Sequence, residues 1–231
     1  MRGLALWVKR LLLGCLGLLL LYQFWLFGWV LWWNWANPEN TRFMNIRLDE
    51  LRVRDPQAQL QKQWIAYEKV SNNLKRAIIA AEDAKFVDHE GFDWEGIQHA
   101  LERNQKKGRV VAGGSTISQQ LAKNLFLTPA KTPWRKAEEA IITLMLETIW
   151  SKQRIFEVYL NVIEWGNGVF GAEAAARHYY GVSATQLAPE QAARLAGMVP
   201  SPRFYDRNRS APGLARKTAI ILARMPAADV P

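Results

Sequence analysis

Two patterns of apolar residues divide the chain. From Leu11 to Trp33 they run almost unbroken, LLLGCLGLLLLYQFWLFGWVLWW, with no charge and with Gln23 as the strongly polar side chain. A helix of that length rises ~1.5 Å per residue and spans roughly 30 Å, the thickness of a bilayer's hydrocarbon layer. From Ser71 onward the apolar positions recur at helical spacing instead: Leu74, Ala77, Ile78 and Ala81 share one face, with Ser71 or Asn72 placed to cap its start. Further helices are predicted from near Asp93 through Ile97, Ala100 and Leu101, and from a Ser115 cap to about Phe126. Another starts at Thr132-Pro133 and runs to about Trp150, because proline at the first helical position gives up a donor that would be unpaired anyway. Segments 152–161, 172–180, 189–198 and 212–225 complete the set. Residues 104–114 break the pattern with Lys106, Lys107, Gly108 and Arg109 before Gly113-Gly114, and read as a mobile basic loop. No alternating strand, hairpin signal or internal repeat is visible, so a mainly α fold is expected.

These patterns divide the chain into a cytoplasmic tail (1–10), a transmembrane anchor (11–33), a juxtamembrane connector (34–67) and one globular domain (68–231). Arg2, Lys9 and Arg10 precede the apolar run, and Glu39 is the first charge after it. The positive-inside bias therefore places the domain outside the cytoplasm, and Trp29, Trp32, Trp33 and Trp35 suit the outer headgroup layer. A cleaved signal peptide needs a shorter apolar core and a small-residue cleavage site, which this bulky segment lacks. Cys15 is the single cysteine, which excludes an intrachain disulfide and a cysteine-based metal cluster. The net charge of +9 suits anionic partners. Beyond a membrane, those are acidic lipids and phosphorylated lipid substrates, not nucleic acid.

Three segments carry candidate chemistry. Glu82 and Asp83 end the apolar helix, and Glu82 lies at the border of its buried stripe, where partial desolvation raises a carboxyl's pKa and suits it to base catalysis. Gly113 to Gln120 joins a glycine pair to a helix start rich in hydroxyls and amides, a place receptive to phosphate as well as an ordinary cap, and Lys123 adds charge two turns in. On the helix after Pro133, residues Ala137, Ile141, Leu144, Met145 and Thr148 form a narrow arc that reads as the core face. Glu139 then points outward between Arg135 and Lys136, a spacing that also fits a solvated surface ion pair.

Taken together and in order, these segments resemble the peptidoglycan glycosyltransferases that form the N-terminal catalytic domain of bifunctional penicillin-binding proteins. The matching blocks are EDxxFxxHxG at Glu82 to Gly91, GGSTxxQQLxKN at Gly113 to Asn124, and RKxxE at Arg135 to Glu139. KxxIxExYLN follows at Lys152 to Asn161, then Gly166 to Ala175. The transpeptidase motifs SxxK and KTG are absent, so the likeness is to the stand-alone form. The resemblance implies a lysozyme-like, largely helical fold with a head lobe and a smaller jaw lobe embedded in the membrane.

It also implies a reaction: polymerisation of lipid II into β-1,4-linked glycan strands on the periplasmic side of the bacterial inner membrane, with release of undecaprenyl pyrophosphate. Glu82 would be the general base, and Glu139 the second essential carboxylate, which orders the pyrophosphate site or helps to hold a metal. Lys123, Arg135, Lys136 and Lys131 would neutralise the leaving group, although lysine at 131 lacks the fork of the arginine common in relatives. Asp83, Phe86 and His89 would shape the surroundings of Glu82, while Ser115, Thr116, Gln120 and Asn161 would contact sugar or phosphate. Magnesium or manganese would fit as a counterion borrowed on the substrate, since no independent metal site is visible. The implied partners are lipid II, the lipid-linked glycan strand, the bilayer and other cell-wall synthesis or division proteins. The competing readings are a lysozyme-like glycan-cleaving enzyme and an inactive membrane scaffold for cell-wall enzymes.

Overall fold

The computed structural model describes residues 2–109 and 113–231, with side chains from Leu6 onward. It separates into two units that meet in sequence between Asn37 and Pro38. The first is a single helix, α1 (Arg2–Trp33). Its segment Leu6–Trp33, 28 residues that include an 18-residue stretch of mean hydropathy 2.0, is long and apolar enough to cross a membrane. Tyr22, Trp25, Trp29 and Trp33 follow one another at helical spacing, and their rings pair with centroids 5.1–6.4 Å apart.

The second unit is helical. Its elements are α2 (Arg42–Arg52), β1 (Gln61–Lys62), α3 (Asn72–Glu82), α4 (Trp94–Lys107), α5 (Ile117–Phe126), α6 (Pro133–Ile149) and α7 (Lys152–Val162). They are followed by β2 (Glu164–Gly166), β3 (Val169–Phe170), α8 (Ala172–Tyr180), α9 (Pro189–Met198), α10 (Pro202–Arg207) and α11 (Pro212–Arg224). Capping fixes many of the helix starts. Ser71 accepts from Leu74 N, Asp93 from Gly96 N, Thr132 from Arg135 N and Ser151 from Arg154 N, each satisfying a donor the helix itself leaves unpaired.

Two packed groups make the core. In one, α9 is clasped by α3 and α11. The alanines of α9 (Ala192, Ala193 and Ala196) and Gly197 allow this close approach, and a Cβ at Gly197 would stand 3.2 Å from Leu214. In the other, α5 packs on α6, α7 and α2. Here Ile117, Leu121, Ile142, Leu146, Phe156 and Tyr159 are fully buried, and Phe86 stacks into the same group through Phe156. At ~25 cal/mol per Å² of apolar area, fully burying each of these large side chains contributes about 1.5–3 kcal/mol.

Four features differ from the sequence expectation. Residues 104–107 continue α4, which ends where Gly108 adopts a left-handed conformation (φ 61°). Of the expected basic loop, residues 110–112 lie outside those described. The α5 cap is Thr116, not Ser115: its oxygen accepts from Gln119 N, and the Gln119 side chain reaches back to Thr116 N.

The α6 face is inverted. Glu139, Ile142, Thr143 and Leu146 are buried, whereas Ala137, Ile141, Leu144 and Thr148 are exposed. The helix carries apolar residues on two arcs, and periodicity does not say which arc finds a protein partner.

Finally, the stretch expected as a connector carries folded structure from Pro38 on. Helix α2 lies on α5, and β1 pairs in parallel with β3 in a sheet of order β1-β3-β2. Strands of two or three residues are too short to show alternation.

Candidate active site

Glu82 is the last residue of α3, at the point where the chain leaves the core. It keeps some contact with solvent, but packing on its other sides pushes its carboxyl above the usual range. The Gln120 side chain opposes this by donating from Nε2 to Glu82 Oε2 at 2.8 Å. Gln120 is itself held, because the buried Tyr159 hydroxyl donates to its Oε1 at 3.0 Å. That bond fixes which end of the amide faces Glu82. The charges of Lys217 on α11 and Lys123 on α5 also favour the carboxylate, and that of Asp83 disfavours it.

Asp83 turns away from the cleft into a brace. It accepts from Ile117 N at 2.9 Å and from His89 Nε2 at 3.0 Å, tying the end of α3 to the start of α5. Because Gly91 N donates to His89 Nδ1, the ring proton sits on Nε2 and points at Asp83. Gly91 has φ +88°, and a Cβ there would lie 2.8 Å from Thr143 Cγ2, so glycine is required. Its carbonyl accepts from Thr116 Oγ1 at 2.7 Å. Phe86 is wholly buried beneath the Lys152 ammonium, and Lys152 in turn pairs with Glu147. The EDxxFxxHxG block thus forms a rigid turn from which Glu82 reaches Gln120.

The cleft has a volume of about 1420 Å³. Ser115, Gln120, Lys123, Lys131, Arg135, Lys136 and Glu139 line one part of it. Glu139 is buried with 3% exposure and is paired with both Arg135 and Lys136, while Lys136 also reaches Ser115 Oγ at 3.3 Å. Burial lowers the Lys123 pKa, and the nearby Glu139 and Glu82 carboxylates raise it. Three cations therefore converge on two carboxylates, leaving a positive surplus in a partly desolvated space.

The structure brings together Ser115, Gln120, Lys123, Arg135, Lys136 and Glu139 along the cleft, with Lys131 exposed on the rim, and joins Glu82 to them through Gln120. It sets Asp83, Phe86, His89 and Thr116 behind them. Asn161 also lies behind, with its amide bonded to Ile65 N, Ile65 O and Glu157 O. Sequence reasoning missed Tyr159, which lies inside a matched block, and Lys217, which sits on an unremarkable amphipathic helix. It also missed the opposite part of the cleft, where α2, β2 and α10 contribute Arg47, Glu50, Glu164, Arg203 and Phe204. Among the described residues no three His, Cys, Asp or Glu side chains gather as metal ligands would.

The family model described as Transglycosylase matches residues 49–226. A protein of Dechloromonas aromatica named biosynthetic peptidoglycan transglycosylase is 78% identical over 231 residues, all of both chains. Proteins of the same name from Methylobacillus flagellatus and Nitrosospira multiformis are 64% and 61% identical, over 96% and 97% of this chain and 97% and 98% of their own.

Proposed function

The chain belongs to the transglycosylase family and is a peptidoglycan glycosyltransferase of lysozyme-like fold, and we propose that it polymerises lipid II with Glu82 as general base. The supporting observation is a carboxylate held by an amide of the cleft wall, Gln120, and acted on by the charge of Lys123, one of the cations that gather beside it. The 4-hydroxyl of the incoming GlcNAc attacks the anomeric carbon of the lipid-linked strand. As the O4–C1 bond forms, its proton passes to Glu82, which is bonded to Gln120 through one oxygen. The C1–O bond to phosphate breaks with inversion, α to β, and its electron pair leaves on undecaprenyl pyrophosphate.

That leaving group needs its charge matched more than it needs a proton. Lys123, Arg135 and Lys136 supply the match, held in place by Glu139. Because both oxygens of Glu139 are engaged by those cations, its role is to order them. A divalent ion, where one takes part, would enter on the substrate's own phosphates.

The positively charged residues Lys9 and Arg10 at the start of α1 favour an inner-membrane anchor with the catalytic unit on the periplasmic side. Two helices of that unit expose apolar side chains suited to dipping into lipid: Trp134, Ile141 and Leu144 on α6, and Trp94 and Leu101 on α4. They correspond to the membrane-embedded lobe that the family resemblance implies.

Purified protein given labelled lipid II should make a polymer that lysozyme digests. Glu82→Gln should abolish that product while leaving the melting profile folded; wild-type turnover by this variant would remove Glu82 from the role of base.

A further inference from the structure

The two parts of the cleft differ in charge, and the part away from Lys123 and Arg135 has no assigned task. Arg47 on α2 and Arg203 on α10 face Glu50 and Glu164, two cations against two carboxylates. Such a balanced cluster gives a pyrophosphate no net attraction. It offers a dense set of donors and acceptors to a neutral polar ligand.

One of its oxygens lacks a hydrogen bond: Glu164 Oε1 is buried and unbonded, whereas Arg47 Nε is ion-paired to the other Glu164 oxygen at 3.3 Å. Arg203 Nε stands 3.9 Å from Oε1 on a side chain that is 41% exposed. Leaving a buried acceptor unpaired costs about 1–3 kcal/mol, so in an enzyme the gap calls for a ligand group to fill it. The vacant acceptor lies beside two guanidinium groups, so an acceptor and donors stand close enough together for one amide to meet both. An ionised carboxylate would be repelled by Glu164. Phe204, next to Arg203 in the cleft wall and 50% exposed, adds an apolar ring face of the kind that packs on a sugar's C–H surface.

We infer that Arg47, Glu164, Arg203 and Phe204 form a subsite that reads the acetamido group of an N-acetylhexosamine in the glycan strand. The inference rests on the lipid II reading, because it assumes that the strand lies along this cleft. Glu164 accepts the acetamido N–H, an arginine donates to its C=O, and Phe204 supports the ring. Arg203 moves aside to admit the group.

The test uses the full chain in detergent micelles and two oligosaccharide probes, tetra-N-acetylchitotetraose and cellotetraose, which has a hydroxyl in place of each acetamido group. Saturation-transfer NMR reads binding at the acetamido methyl protons. The wild type should bind the acetylated probe in preference to cellotetraose. Glu164→Leu and Phe204→Ala should each weaken that binding about tenfold, the scale of one lost hydrogen bond or ring contact. Phe204 is half exposed, so its variant decides the matter if Glu164→Leu does not fold. Equal binding of the two probes, wild-type affinity in the folded variants, or displacement of the sugar by a free stem peptide would overturn the subsite. If wild-type protein bound the acetylated probe but made no polymer from lipid II, the proposed reaction would fail instead.

Discussion

Thr116 separates a substrate contact from a structural tie, two roles that its sequence position leaves open. Its hydroxyl accepts from Gln119 N at 3.2 Å and donates to the Gly91 carbonyl at 2.7 Å, and the residue is 2% exposed. Thr116→Val keeps the shape and removes both bonds. The lost cap costs about 1 kcal/mol, and the stranded Gly91 carbonyl about 1–3 kcal/mol more. The total is about 2–4 kcal/mol, which in a domain of 150–250 residues lowers Tm by roughly 5–15 °C. Thermal melting of the full chain in detergent, followed by circular dichroism, measures it, with Thr116→Ser as the control that restores both bonds and stays near wild type. A Tm for Thr116→Val within about 2 °C of wild type together with a raised KM for lipid II would refute the reasoning and place the hydroxyl on the substrate.

Glu82 should be a stability liability. Burial raises its folded pKa above the ordinary value of 4.5, so its contribution is favourable below that pH and is lost as pH rises through the folded value. Glu82→Gln should therefore melt higher than wild type at neutral pH and show no gain at pH 4, and an equal effect at both would contradict the assignment. Tyr159→Phe frees the Gln120 amide to turn its oxygen toward Glu82, which favours the protonated acid. The acid limb of the kcat/KM profile should then move to higher pH, and an unmoved limb would discount the relay. Ile141→Ser with Leu144→Ser should weaken attachment of anchor-free protein to anionic vesicles by several-fold in a flotation assay, with Tm within about 1 °C of wild type, as for surface substitutions; unchanged attachment would argue against a lipid-facing α6.

The helix starts were readable because Ser71, Asp93 and Thr132 advertise themselves chemically, and the cations of the site because RKxxE and QQLxKN carry them at fixed helical offsets. The α6 orientation was not. Its two apolar arcs are equivalent in one dimension, and only packing against α5 chooses between them. Nor could sequence separate residues that face the cleft from those that brace it: Asp83 and Glu82 are neighbours, yet one caps α5 and the other meets solvent. Arg203 reaches the cleft and Lys217 acts on Glu82 from far along the chain, with no local pattern to mark them.

The small sheet fixes an order of events during synthesis. Gln61 is paired with Val169, Ile65 is held by Asn161, and the Tyr67 hydroxyl bonds the Pro231 carbonyl. The residues that follow the anchor thus find partners 96 to 164 positions later in the chain. A chain made from its N-terminus must hold that early segment open until those later residues have been made, so pairing over such sequence distances slows folding and leaves the nascent chain exposed to proteases and to aggregation. A nascent chain stalled before residue 161 would lack Asn161 for Ile65 and Val169 for Gln61, so its first strand would have nothing to pair with.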